Sequence, residues 1–240
     1  MARAEARAVI FIDEVDSLCS SRHEGEDDSS RRVKTEFFTQ MDGVGGKEGG
    51  VLVLGATNVP WELDAAIRRR FEKRVYIPLP GLAERSSMVR IHLGDTPNNL
   101  SDHDFHWLGR KTEGASGADI KILVKDALME PLRLCREAKQ FLPVGKYLVP
   151  CMAYPNCDSC PRKSSSDSPR KKYNCRRCGA RRMTMGDVSS EDEELKLPDV
   201  SVDDFERVMR NFRVSVSKDN LEEYHMWTNQ YGHDGAYPSN

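Results

Sequence analysis

The stretch Ala8-Val9-Ile10-Phe11-Ile12-Asp13-Glu14 decides the fold: five apolar, β-prone residues end abruptly in two carboxylates. Such a run predicts a strand buried on both faces of a parallel sheet. Acids at the carboxyl end of that strand stand where open α/β sheets bind ligands. Two adjacent acids can divide the work of phosphate chemistry, Asp13 helping to hold Mg²⁺ and Glu14 orienting an attacking water. As a purely structural feature, the same pair would cap the helix that follows. The downstream sequence bears on which reading holds.

A second strand is predicted at Val51-Leu52-Val53-Leu54-Gly55, and it ends in Ala56-Thr57-Asn58. A carboxamide there can hydrogen-bond both a phosphate oxygen and a water, although an Asn turn before Pro60 would carry the same residues. Next comes Arg68-Arg69-Arg70-Phe71-Glu72-Lys73-Arg74, at the end of a short helix that begins near Asp64. Three adjacent arginines cannot share one helix face, so at least one points outward, where it could reach a neighbouring subunit's phosphate. Charge runs are more often a solvated face. A third strand candidate, Val75-Tyr76-Ile77, precedes Pro78.

Further on, Gly114-Ala115-Ser116-Gly117-Ala118-Asp119 leads into Ile120-Lys121-Ile122-Leu123-Val124, whose apolar spacing fits a helix. Ser116 and Asp119 form a capping-box-like start. Val200 to Val208 and Val216 to Trp227 read as two more helices, with Ser201 and Ser217 as caps.

The wording Ile12-Asp13-Glu14-Val15-Asp16-Ser17-Leu18, Gly55-Ala56-Thr57-Asn58 and Ala66-Ile67-Arg68-Arg69-Arg70-Phe71-Glu72-Lys73-Arg74 resembles the AAA ATPases of the meiotic clade. That clade includes katanin, spastin, fidgetin and vacuolar protein sorting-associated protein 4, and the tail is most similar to the last of these. The resemblance implies Walker B at Asp13 and Glu14, sensor 1 at Asn58, and arginine fingers at Arg69 and Arg70. It also implies contact of Gly117 and Ala118 with a nucleotide base, and a second pore loop at Glu24 to Asp28. ATP and Mg²⁺ are the implied cofactors. The implied assembly is a homo-hexamer that disassembles ESCRT-III filaments, cytoplasmic and recruited to the endosomal membrane only through partners. Two alternatives accompany it: a katanin-like microtubule-severing enzyme, and a non-catalytic regulatory or assembly module.

The implied fold is α/β, a partial AAA nucleotide-binding domain followed by a small helical domain. Residues 1–80 belong to the large domain, 81–145 and 199–240 to the helical one, and 146–198 to an inserted β domain. The resemblance makes that β domain the docking place of an activator. Within it, Cys157-x-x-Cys160 and Cys175-x-x-Cys178 have the spacing of a zinc ribbon. Four thiolates can surround Zn²⁺, and no secretory signal argues for disulfides. Free thiols paired only in sequence remain the alternative. Arg162, Lys163, Arg170, Lys171, Lys172, Arg176, Arg177, Arg181 and Arg182 make the insertion basic, with Tyr173 its only aromatic between Cys157 and Arg182. That favours an acidic protein partner over nucleic acid.

With 240 residues, 38% hydrophobic and 31% charged, and a net charge of −2, the chain reads as one large or two modest domains. No run approaches the roughly 20 apolar residues of a membrane span. No Gly-x₄-Gly-Lys-Ser/Thr loop occurs either: Gly46-Lys47 is followed by Glu48, and Gly145-Lys146 by Tyr147. The resemblance therefore covers about the carboxyl-terminal half of a full enzyme. It implies that the 240 residues alone neither bind ATP tightly nor hydrolyse it. It further implies that the strand at 51–55 and the one at 75–77 are left with unpaired facing edges.

Overall fold

The computed structural model describes residues 8–19, 28–42, 51–151, 157–158, 175–188 and 194–232. They fall into two units, one drawn from 1–78 and 217–240, the other from 79–216.

In the first unit, β1 (Ala8–Ile12) and β2 (Val51–Gly55) pair in parallel with Ile12 opposite Gly55. Helices α1 (Val15–Cys19), α2 (Asp28–Asp42) and α3 (Ala65–Arg70) belong to the same unit. Val15, Leu63 and Ile67 form its core, with Ile12, Phe37, Phe38 and Phe71 packed against them. Gly55 makes that packing possible. A Cβ there would come within 3.0 Å of the Phe71 ring.

Two expectations need correction. The strands are not buried on both faces: side chains alternate between half-buried and exposed, and Val9 and Phe11 are each 63% exposed. Among the described residues, the apolar cluster packs against one face only, so alternation replaces continuous burial. Nor do Val75-Tyr76-Ile77 form a strand; they have no ladder partner among the described residues, and Ile77 is 85% exposed. Backbone hydrogen bonds to a neighbour, not β propensity, define a strand.

The last helix, α8 (Lys218–Tyr231), also belongs to the first unit, whereas the sequence reading grouped it with the helical domain. The Ser217 hydroxyl starts it by accepting from the Asn220 N–H at 3.2 Å.

The second unit is a helical bundle with a small sheet. Helices α4 (Leu82–Leu93), α5 (Asp102–Lys111), α6 (Gly117–Glu137) and α7 (Val202–Met209) enclose Val89, Leu93, Phe105, Leu108, Ile120, Leu123, Val124, Ala127 and Phe205. Arg85 is buried among them with no carboxylate partner among the described residues. Its guanidinium donates to the Gly109 carbonyl at 3.0 and 2.8 Å and to the Pro80 carbonyl at 2.7 Å, which satisfies the buried donors.

The sheet has the order β5-β3-β4-β6, formed by β3 (Gln140–Val144), β4 (Tyr147–Cys151), β5 (Arg181–Arg182) and β6 (Glu194–Leu195). β3 and β4 make an antiparallel hairpin, and β5 pairs antiparallel on the outer side of β3. The β module thus starts at Gln140, six residues before the boundary expected from sequence. Phe141 and Leu148 are buried in it, with Met183, Val188 and Leu195 packed against them. Among the described residues, no helix is long and apolar enough to cross a membrane.

Candidate active site and its flanks

Parallel pairing puts the carboxyl ends of β1 and β2 side by side, and backbone hydrogen bonds keep the chains together just past the strands. The Ala56 N–H donates to the Ile12 carbonyl and the Val15 N–H to the Ala56 carbonyl, both at 2.9 Å. Asp13-Glu14 is thereby held beside Ala56-Thr57-Asn58. Both acids and Asn58 are exposed.

Glu14 has a φ of +48°, the only positive value for a non-glycine residue among those described. A left-handed conformation costs a non-glycine residue roughly 1–3 kcal/mol, and such strain collects at functional sites. Its N–H donates to the Asp13 carboxylate at 3.0 Å, and its carbonyl accepts from the Ser17 N–H and hydroxyl at 2.9 and 2.8 Å. The backbone is thus pinned on both sides of the strained residue, and the Glu14 side chain stands in solvent at the sheet end.

Thr57 braces the other wall. Its hydroxyl donates to the Asp16 carboxylate at 2.5 Å and accepts from the Val59 N–H at 3.0 Å. This links the loop after β2 to α1. Asp16 and Thr57 were quoted in the sequence motifs without a role; a hydroxyl just before the carboxamide was the available signal.

The arginine run splits by direction, as three consecutive helical positions must. Asp64 caps α3 by accepting from the Ala66 N–H at 2.6 Å. Arg68 donates to the Leu63 carbonyl at 2.8 Å and lies over the Tyr231 ring, 4.9 Å from its centroid. Arg70 donates to the Ala66 carbonyl at 3.3 Å and lies over Phe38 at 4.9 Å. Arg69 is exposed. Arg74 gathers the end of α3, donating to the Arg68 and Phe71 carbonyls at 3.1 and 3.2 Å and also to the Tyr231 carbonyl.

Helix α8 adds contacts that the sequence did not disclose. Tyr224 donates from its hydroxyl to the Asn58 carbonyl, and its ring sits between Trp61 and Tyr76 at centroid distances of 5.1 and 6.0 Å. Trp61, Tyr76 and Tyr224 thus come together from three separate parts of the first unit. Only their aromatic character could have hinted at this.

Gly117 and Ala118 lie in the second unit, at the start of α6. The Ser116 hydroxyl accepts from the Asp119 N–H at 3.2 Å, while the Asp119 carboxylate accepts from the Ser116 N–H and hydroxyl at 2.9 and 2.8 Å. Ser215 adds two more donors to that carboxylate, at 3.3 and 3.0 Å. Burial by itself would raise the Asp119 pKa, but the hydrogen bonds from Ser116 and Ser215 outweigh it and hold the group below its ordinary value of 3.8.

In the β module, the thiols of Cys157, Cys175 and Cys178 lie within 4.8 Å of one another. Cys160 lies outside the described residues, as do positions 24–27 of the expected pore loop.

The family model "ATPase family associated with various cellular activities (AAA)" matches residues 1–79, an AAA+ lid domain matches 102–141, and a Vps4 C terminal oligomerisation domain matches 176–232. The chain is 46% identical over 237 residues to vacuolar protein sorting-associated protein 4B of Mus musculus, covering 98% of this chain and 50% of that one. It is 35% identical over 240 residues to katanin p60 ATPase-containing subunit A1 of Arabidopsis thaliana, covering 97% of this chain and 38% of that one. Among solved structures, the FIGL-1 AAA domain superposes with a TM-score of 0.68 at 32% identity, over 96% of this chain and 59% of that one. The chain spans about half the length of the vacuolar sorting relatives it matches.

Proposed function

Since the chain belongs to the AAA ATPases and is Vps4-like within them, we propose that it carries the Walker B, sensor 1 and arginine-finger half of an ATP-hydrolysing centre in a hexamer. One observation carries this reading above the others: two exposed acids and a carboxamide meet at the carboxyl ends of two hydrogen-bonded parallel strands. Asp13 would help hold Mg²⁺, which neutralises charge on the phosphates when bound. Glu14 would orient the attacking water, and the Asn58 carboxamide would fix that water and a phosphate oxygen. This donor set fits the group, since hard cations take oxygen ligands and Mg²⁺ usually keeps several waters.

Arg69 and Arg70 would reach the γ-phosphate bound by the neighbouring subunit and stabilise charge there as hydrolysis proceeds. Exposure of Arg69 suits a residue that acts outside its own chain. Gly117 and Ala118 would lie against the base. The 240 residues include no phosphate-cradling loop, and these groups act only where one is also present.

The match to an oligomerisation domain supports a hexamer. Higher identity to the vacuolar sorting relatives than to katanin favours ESCRT-III subunits as the polypeptide substrate over microtubules. Work at the endosomal membrane, reached through partners, follows from the same reading. So does an activator that docks on the β module.

The test is Mg²⁺-ATP turnover by the native assembly, isolated with an antibody to the tail, with and without Glu14→Gln in the chromosomal copy. Turnover should fall at least a hundredfold in the variant, with ATP still bound and ESCRT-III filaments left intact. Unchanged turnover would remove Glu14 from its role. Intact turnover with tubulin-tail binding, and no filament release, would move the assignment to a severing enzyme.

A further inference from the structure

We propose that the β module holds a structural Zn²⁺ ion through the thiolates of Cys157, Cys175 and Cys178. The three residues come from two segments eighteen positions apart, yet their sulfurs all lie within 4.8 Å of one another. Cys157 and Cys175 are 3.9 Å apart, sulfur to sulfur. A disulfide would need about 2.0 Å. Two sulfurs on one tetrahedral zinc, each at about 2.3 Å, stand roughly 3.8 Å from one another.

Local backbone geometry prepares the second pair for this task. The Cys175 N–H donates to the Ala180 carbonyl, and the Gly179 N–H donates back to the Cys175 carbonyl, both at 2.8 Å. This closed turn aims Cys175 and Cys178 to the same side. Gly179 completes it with a φ of +74°, and a Cβ there would run into Pro143 at 2.7 Å. Only glycine meets both conditions. An ion pair between Arg177 and Asp158, at 3.2 Å, ties the turn to the segment that follows Cys157.

The chemistry of the donors selects the ion. Clustered thiolates in a tetrahedral arrangement favour zinc over hard cations, which take oxygen. A three-thiolate set leaves one of the four tetrahedral positions to a further donor. Buried Cys175 and Ala180 pack with Leu142 of β3, so the ion would sit against the base of the sheet. It would join the end of β4 to the start of β5 and close the long connection between them. Because the site forms only in the folded chain, the binding free energy of the ion adds to the stability of the fold. Neither the lid match, 102–141, nor the oligomerisation match, 176–232, includes Cys157.

The test is metal analysis of the full chain, purified without chelator, by plasma mass spectrometry. One zinc per chain is expected, released to a colorimetric indicator when a mercurial blocks the thiols. Cys175→Ser and Cys178→Ser should each lose the zinc, and Cys135→Ser and Cys151→Ser should keep it. Cobalt exchanged into the unmutated chain should show intense thiolate-to-metal charge transfer with tetrahedral ligand-field bands, a readout that does not depend on whether any variant folds. Absence of metal from the unmutated chain, iron in place of zinc, or full zinc content in Cys175→Ser would overturn the proposal. The result is independent of ATP turnover, so it stands or falls apart from the assignment of Glu14.

Discussion

The Tyr224 hydroxyl donates a hydrogen bond to the backbone carbonyl of Asn58, so the last helix holds the loop that presents the carboxamide. The ring of Tyr224 is flanked by Trp61 and Tyr76, which makes the contact a packed one as well as a polar one. Removing only the hydroxyl, with Tyr224→Phe, should cost about 0.5–1.5 kcal/mol. Amide hydrogen exchange at residues 57–60 and 218–231 should then quicken by up to about tenfold, with no change in α4 to α7. Unchanged protection at Asn58 would show that the aromatic stack alone holds the loop.

Thr57 has two hydrogen-bond partners that a methyl cannot serve, the Asp16 carboxylate and the Val59 N–H. Thr57→Val keeps the shape and strands both groups, at a cost of about 1–3 kcal/mol. Turnover by the native assembly should drop because the Asn58 loop loses its brace to α1. Thr57→Ser should restore both bonds and the activity. If valine and serine behave alike, the brace is irrelevant.

Arg68 and Arg69 are neighbours in sequence with different surroundings. Arg69→Ala should leave the stability of the unit within about 0.5 kcal/mol, as for other exposed side chains. It should nevertheless lower turnover of the assembly by about a thousandfold if the residue acts as a finger. Arg68→Ala removes the hydrogen bond to Leu63 and the stacking on Tyr231, so its effect should appear in thermal unfolding. Equal effects of the two substitutions on both readouts would erase the distinction.

Asp119 gives the second unit an acid-sensitive joint. Its folded pKa lies below the ordinary 3.8, so its contribution is fully present above that value. It disappears as pH falls through the lower, folded pKa, where the carboxylate becomes protonated. Ser215→Ala removes its hydroxyl donor and leaves the Ser215 N–H in place, and should shift the acid transition of the helical signal upward in pH. Circular dichroism between pH 2 and 5 reads this directly, on the order of the pKa range at issue. Asp119→Asn should flatten the dependence in the same window.

Much of this architecture was legible because local chemistry decided it. The run Ala8 to Ile12 and the run Val51 to Gly55 are strands, and Ser116 with Asp119 starts a helix by satisfying its first amides. The meeting of Asp13-Glu14 with Asn58 followed from parallel pairing, a topological rule rather than a contact read from residues. Val75 to Ile77 failed as a strand although its residues suit one, because a strand needs a partner that propensity cannot supply. Full burial of β1 failed for a related reason: Phe11 is apolar, but no described residue packs on its face. The role of Tyr224 was hidden by distance, with 166 positions separating it from Asn58. The thiol cluster was visible as spacing, and the turn at Gly179 was not.

Arg74 joins the closing turn of α3 to the final carbonyl of α8, and Arg68 stacks on the same terminal tyrosine. Mechanically, the end of one helix serves as the anchor of the other. Through these contacts the arginine run is tied to α8, and α8 in turn to the backbone of Asn58 through Tyr224. The first unit therefore contains a closed circuit of contacts, from α3 to α8 and from α8 back to the loop that carries Asn58.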